Sequence, residues 1–194
     1  MTSLWKPREA CALFVVIAAT ALNAPCPINA ASAEAACADP RYREFDFLIG
    51  DWEAFGANGK LAGRDRIAAI YDGCALEEHW QGPANPPAFR GGSISNYDQR
   101  EQRWHQVWVD NQGVTARLSG GLVAGRMVLS GQAGTGPKDR QVRLTWEPLE
   151  GGEVRQSIEH SDDRGVTWKA VVTFHYKRAI PPAGASAPDA PPQE

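Results

Sequence analysis

The chain has 194 residues, a length that suits one folded domain with extensions at its ends. It carries 20 basic and 23 acidic residues, a formal net charge of −3, and the basic residues form no block. This balance argues against nucleic acid as the main partner, because proteins that bind nucleic acid concentrate lysine and arginine on one surface.

The N-terminal segment predicts export. Two basic residues precede the apolar run 10–22, which has signal-peptide length and is too short to span a bilayer comfortably. Small residues then allow cleavage after Ala33 or Ala35. We therefore expect residues 1–35 to be a cleaved signal peptide, and a periplasmic or secreted mature protein with no membrane span. A retained membrane anchor and a lipoprotein modified at Cys37 are the alternatives.

Export decides how the four cysteines are interpreted. Cleavage removes Cys11 and Cys26 and leaves Cys37 and Cys74. In an oxidising compartment these two predict a disulfide that ties the N-terminal segment to the strand beginning near Cys74. The competing interpretation makes Cys74 a nucleophile.

The body of the chain is a run of short strands. Between residues 46 and 178, apolar or alternating segments are separated by turn signals, the strongest being the Asn-Gly and Asp-Gly pairs at 58–59 and 72–73. Only residues 40–50 could carry a short helix. About ten consecutive strands predict a single antiparallel up-and-down β-barrel over residues 36–178, because closure removes exposed sheet edges. A two-sheet β-sandwich is the alternative.

The C-terminal segment does not continue this pattern. Residues 181–194 are rich in proline and alanine and have no apolar period. We expect residues 179–194 to form a disordered tail.

The segment RWHQVWVD is the best candidate for a ligand-binding wall. In a strand, Trp104, Gln106, Trp108 and Asp110 share one face. Large aromatics mixed with polar groups are typical of a ligand cavity. The alternative buries the intervening valines and leaves the tryptophans exposed. Further inward-facing candidates on other strands are Glu78, Trp80, Asn96, Arg143 and Arg155.

Arg143 is the expected polar anchor of this cavity. A buried arginine needs a carboxylate or an anionic ligand beside it. Glu78 or Glu159 could supply that carboxylate. A polar network that only stabilises the barrel would satisfy the same pattern, so both interpretations stay open.

The octapeptide SDDRGVTW matches the Asp-box found in sialidases at Ser161, Asp163, Gly165, Thr167 and Trp168. The side chains of this motif build a turn: hydroxyl and carboxylate oxygens bind backbone amides, and glycine accepts positive φ. The motif occurs once, and the chain is too short for a six-bladed propeller of four-stranded blades. We therefore predict a structural turn, with a calcium site in the same loop as the alternative.

Other motifs give no cofactor, metal or catalytic residue. GQAGTGPK lacks the Gly-Lys-Ser/Thr ending of a phosphate loop, and no two histidines have metal-binding spacing. His175 alternates with the apolar residues Val172, Phe174 and Tyr176 and should face outward. We expect no cofactor and no metal.

Four segments carry a resemblance to a known family: FDFLIGDW, GCALEEHW, YDQREQRWHQVWVDNQG and SDDRGVTW. Together they resemble a family of bacterial exported domains of unknown function in the lipocalin-like (calycin) superfamily. In lipocalin-like barrels a Gly-x-Trp, here Gly50-x-Trp52, precedes the first strand, and its tryptophan plugs the closed end. The resemblance implies a β-barrel around a small cavity and no assigned reaction.

Three functions remain as hypotheses. The first is binding of a small, partly apolar molecule in the barrel. The second is an enzyme, a hydrolase or isomerase, acting through inward groups such as Glu78 and Arg143. The third is a structural or interaction module that uses the outer sheet or the tail. The sequence leaves the ligand and the oligomeric state open.

Overall fold

The computed structural model describes residues 37–84, 88–135 and 140–180. The predicted signal peptide and the tail from residue 181 onward lie outside these ranges. Within them, no helix is long and apolar enough to cross a membrane. Ten strands follow one another in the chain: β1 (Gly50–Gly56), β2 (Leu61–Ile70), β3 (Ala75–Gln81), β4 (Arg90–Asp98), β5 (Arg103–Asp110), β6 (Thr115–Val123), β7 (Arg126–Gly134), β8 (Arg140–Pro148), β9 (Val154–Ser161) and β10 (Lys169–Arg178).

The strands form a closed barrel. Each pairs antiparallel with its neighbour in the chain, and β1 pairs with β10, where Trp52 lies opposite Arg178. Closure leaves neither terminal strand as a free edge. The up-and-down barrel is therefore confirmed, and the sandwich alternative is wrong.

Short helices lead into the barrel. The single short helix expected over residues 40–50 is instead two 3-10 helices, Pro40–Arg43 and Asp46–Leu48. A third 3-10 helix, Glu150–Gly152, lies between β8 and β9. Two side chains of this entering segment, Phe45 and Leu48, are buried, and the centre of the Phe45 ring lies 5.1 Å from that of the Trp146 ring. These side chains cover one end of the barrel, hereafter the closed end.

Trp52 completes the closed end. It is 1% exposed, and its Nε1 donates a hydrogen bond to the Leu48 carbonyl at 2.7 Å. The Arg178 guanidinium lies 3.8 Å from the centre of its ring and donates to the Ile49 carbonyl at 2.5 Å. One tryptophan thus joins the first strand, the last strand and the entering helix.

The predicted disulfide is confirmed. Cys37 and Cys74 are bonded, with an S–S distance of 2.09 Å and a sequence separation of 37 residues. The bridge holds the N-terminal segment against the turn that precedes β3. Since Cys74 is oxidised, the bonded form has no thiolate at that position.

The Asp-box segment folds as a hydrogen-bonded turn between β9 and β10. The Ser161 hydroxyl accepts from the Gly165 amide at 2.7 Å, and the Asp163 carboxylate accepts from the Thr167 amide at 2.8 Å. Gly165 has φ of +89°, which favours glycine. The Trp168 indole donates to the Gly165 carbonyl at 3.1 Å. These contacts account for the motif residues without a ligand.

Candidate ligand-binding site

The barrel encloses a cavity of about 430 Å³. It begins beneath the closed end and extends to the described parts of the loops at the opposite end, where Pro83, Phe89 and Val114 border it. A volume of this size falls within the usual range for small-molecule sites. Most of the wall is apolar, and its polar members are Glu78, Gln106, Gln156 and Tyr176.

Two tryptophans form the aromatic part of the wall. A β-carbon at Gly63 would collide with the Trp80 ring, and one at Gly91 would collide with the Trp108 ring. The glycines of β2 and β4 therefore leave the space in which these rings lie against the barrel wall. Phe174 of β10 extends this surface, with its ring centroid 5.4 Å from that of Trp80.

A chain of hydrogen bonds runs along the polar side of the cavity. The Gln106 amide nitrogen donates to the Ser93 hydroxyl at 3.1 Å, and Ser93 donates to Glu78 Oε2 at 2.5 Å. These residues lie on the adjacent strands β5, β4 and β3, so strand pairing brings them together. These hydrogen bonds hold the Glu78 carboxyl beside the cavity, where it accepts from the uncharged Ser93 hydroxyl.

Behind Glu78 lies a second carboxyl, that of Asp65 on β2. Asp65 is 3% exposed and is in hydrogen-bonding contact with the Glu78 carboxyl. The Tyr176 hydroxyl and the Arg66 backbone amide favour the ionised form of Asp65, but neither makes a hydrogen bond of standard geometry to its side-chain oxygens. Burial, followed by the Glu78 charge, raises the pKa of Asp65 from 3.8 to about 10. Burial also raises the pKa of Glu78, which Ser93 and Asp65 partly offset by donating to it. The two carboxyls therefore hold a proton between them at neutral pH.

Tyr176 closes the polar cluster from β10. Its hydroxyl donates to Gln156 Oε1 at 3.3 Å and lies next to Asp65. Burial, and then the neighbouring carboxyls, raise the pKa of Tyr176 well above its usual value of 10. The phenol is therefore neutral and can serve as a hydrogen-bond donor inside the barrel.

The structure brings four of the predicted site residues together. Glu78, Trp80, Gln106 and Trp108 all line the cavity. Trp104 also faces inward but packs in the closed end, where its ring lies 5.4 Å from Phe45. The predicted alternation of β5 is thus the observed one, while the role of these residues in binding stays a prediction.

Three predicted residues face away from the cavity, and their placement inside the barrel is wrong. Asn96 is exposed on the outside of β4. Arg143 forms an ion pair with Glu159 at 2.7 Å, and Arg155 pairs with Glu147, all outside the cavity lining. Arg143 also lies over the ring of the turn residue Trp168, 4.4 Å from its centre.

Strand alternation explains the errors at the two arginines. In β8 the neighbours of Arg143, Val142 and Leu144, line the cavity, so Arg143 must point outward. In β9 the inward residue is Gln156, the neighbour of Arg155. A charged side chain at a position alternating with apolar ones is satisfied by a cross-strand partner outside the barrel.

Sequence reasoning missed the most buried acid of the site. Asp65 lies in LAGRDRIAAI, where it shares a face with Gly63 and Ile67 while the flanking arginines share the other. That alternation is a signal for an inward carboxyl. Tyr176 was placed on the inner face, but its contact with Asp65 depends on the pairing of β1 with β2 and β10, which the sequence does not reveal.

The described residues contain one group of three side chains that could together approach a metal ion. Asp98, Glu101 and His105 lie at the β4–β5 turn, outside the cavity, with ligand atoms within 4.8 Å of one another. Exposed acidic groups of this kind are common without a bound ion, so the cavity remains the candidate site.

No protein-family model matches the chain, and no curated protein matches it. Its function is therefore inferred from the cavity and its side chains.

Proposed function

We propose that this chain is an exported, lipocalin-like barrel that binds a small, partly apolar molecule. The observation that carries the proposal is the cavity, in which an aromatic wall meets a short series of convergent polar groups. Apolar surface supplies affinity, and a few placed hydrogen-bonding groups supply orientation. Glu78, Gln106 and Tyr176 would contact the polar part of the ligand, and Trp80 and Trp108 its apolar part.

Export is part of this proposal. The disulfide supports it, because such bonds persist in oxidising compartments. The basic and apolar leader preceding Ala33 and Ala35 supports it independently. The same leader predicts that the working protein begins just before Cys37.

Native mass spectrometry of the mature protein from its own extracytoplasmic fraction tests the proposal directly. We expect added mass that leaves on denaturation and identifies the ligand class. Tryptophan fluorescence then follows rebinding of the released molecule, with Trp108→Ala expected to weaken it. Trp168→Ala, in the outer turn, is the matched control and should bind as the wild type does.

A bare mass, together with fluorescence that no extract of the same fraction changes, would count against a binding barrel. Equal loss of binding in both tryptophan variants would show that the effect is not specific to the cavity.

Acid–base catalysis inside the barrel is a second candidate function, favoured by the carboxyl pair. Two carboxyls that share a proton can take one from a bound carbonyl compound and return one, as an isomerase requires. Arg143, which faces outward, has no part in it. The test is deuterium uptake from D₂O next to the carbonyl in a panel of ketones, measured by mass spectrometry. Deuterium uptake by the wild type that is lost in Glu78→Gln would support catalysis. If uptake does not exceed background, catalysis on that panel of ketones is excluded.

A further inference from the structure

The ionisable groups that reach the cavity are acids and a phenol. Glu78 lines it, Asp65 lies directly behind Glu78, and Tyr176 borders it. Across the described parts of the barrel, no lysine, arginine or histidine lines this cavity. His160, which pairs in register with Val142 near the rim, lies 3.7 Å from Asp162 and is not part of the lining.

Glu78 differs from the glutamates on the outside of the barrel. Glu159 and Glu147 each contact an arginine, Arg143 and Arg155 respectively. The hydrogen-bond donors of Glu78 are instead the Ser93 hydroxyl and the protonated Asp65 carboxyl. A buried carboxylate without a neighbouring cation is unfavourable in free energy. A positively charged ligand would therefore bind favourably beside Glu78, because it supplies the cation that the protein does not.

The aromatic surface beside Glu78 suits the same charge. Trp80 is two residues further along β3 on the same face, and Phe174 packs against it. Indole and phenyl faces attract cations through their quadrupoles, most strongly where water is excluded. The remaining apolar wall toward Trp108 fits a hydrocarbon or aromatic body.

Building on the proposed function, we infer that the ligand is an organic amine bound as its ammonium ion. The ammonium contacts the Glu78 carboxylate beside the Trp80 ring, and the apolar body extends toward Trp108. Asp65 does not touch the ligand. It is a positioning residue that retains a proton and donates it in a hydrogen bond to Glu78.

Proton balance makes the inference testable by pH. Binding of an ammonium favours the ionised form of Glu78, so any proton that Glu78 holds in the free barrel is released to solvent. Amine affinity therefore rises with pH until the ammonium itself loses its proton. The groups that face Glu78 from neighbouring elements are Asp65 of β2, Ser93 of β4, Gln106 of β5 and Tyr176 of β10, with His79 adjacent on the outer face of β3.

The experiment compares three probes that share one skeleton: 4-phenylbutylamine, 4-phenylbutanol and 4-phenylbutyrate. Their affinities for the full mature chain are measured by isothermal titration calorimetry in two buffers of different ionisation enthalpy. We expect the amine to bind about tenfold or more tightly than the alcohol, since hydrogen bonds to charged groups are worth more than neutral ones. The carboxylate should bind weakest.

Three isosteric variants assign the effect. Glu78→Gln should reduce amine affinity about tenfold or more and alcohol affinity far less, because the glutamine amide still offers the alcohol a neutral hydrogen-bonding partner. Asp65→Asn still donates to Glu78 and should retain amine binding, with a flatter dependence on pH. Glu77→Gln, one residue away on the outer face, is the matched control and should bind as the wild type does.

The outcomes separate this inference from the proposed function. Alcohol or carboxylate binding as tight as amine binding would overturn the amine inference and leave the binding barrel standing. If no probe binds, and if Trp108→Ala also leaves rebinding of the released native molecule unchanged, both the amine inference and the binding barrel are overturned. Amine binding that survives Glu78→Gln with undiminished affinity would also overturn the inference, and near-UV circular dichroism of that variant shows whether the barrel is still folded.

Discussion

Replacing Asp65 by asparagine should stabilise the ligand-free barrel at neutral pH. The substitution keeps the size of the side chain and a hydrogen-bond donor for Glu78. It removes a carboxyl group whose ionisation is strongly unfavourable in its buried position. Because the pKa of Asp65 is higher in the folded barrel than in the unfolded chain, the folded state binds this proton more tightly. Stability from this group is therefore fully present below pH 3.8 and is lost as pH rises from 3.8 toward 10.

The size of the effect follows from this interval. Neutral pH lies about three units above 3.8, and each unit is worth about 1.4 kcal/mol. Keeping Asp65 protonated thus costs the wild-type barrel about 4 kcal/mol at pH 7. Asparagine carries no such cost, so Asp65→Asn should raise the free energy of unfolding by up to about that amount.

Urea unfolding followed by tryptophan fluorescence, at several values between about pH 4 and pH 8, measures this difference. The advantage of Asp65→Asn should be close to zero at the acid end and grow with pH. Glu77→Gln, on the outer face, should show no such growth. A variant that is less stable than the wild type at pH 7, or an advantage independent of pH, would refute the shared-proton account of the pair.

Three further predictions concern the scaffold. Replacing Cys37 and Cys74 together by serine should cost about 3–4 kcal/mol, from a closed loop of 37 residues, and reduction should have the same effect in the wild type alone. Trp52→Ala should cost about 3–5 kcal/mol in urea unfolding, because it removes a buried ring that packs between the first and last strands of the barrel. Asp163→Ala should lower the midpoint of urea unfolding, because the Thr167 amide loses its acceptor, and should leave probe binding unchanged, since this turn lies outside the cavity; a loss of binding would implicate the turn in the site.

The inner face of a strand could be predicted where the two faces differ clearly in polarity. In β5 the series Trp104, Gln106 and Trp108 faces inward as expected, because the intervening positions pair with similarly outward residues of β4 and β6. In β8 and β9 the expectation was wrong. A buried arginine was expected to anchor a ligand, although apolar side chains, such as Val142 and Leu144 beside Arg143 and Val154 beside Arg155, are buried far more often than arginine.

Local sequence determined the number of strands, the turns and the up-and-down order, because turn chemistry and alternation act over a few residues. The disulfide followed from the leader and from the two cysteines that cleavage leaves. Local sequence could not determine that β1 pairs with β10, since that contact joins residues more than a hundred positions apart. The tertiary structure determined the composition of the polar cluster in the cavity. Pairing of β2 with β3 places Asp65 next to Glu78, and closure adds Tyr176 of β10 to this buried cluster, where proximity and burial set protonation states that none of the three has alone.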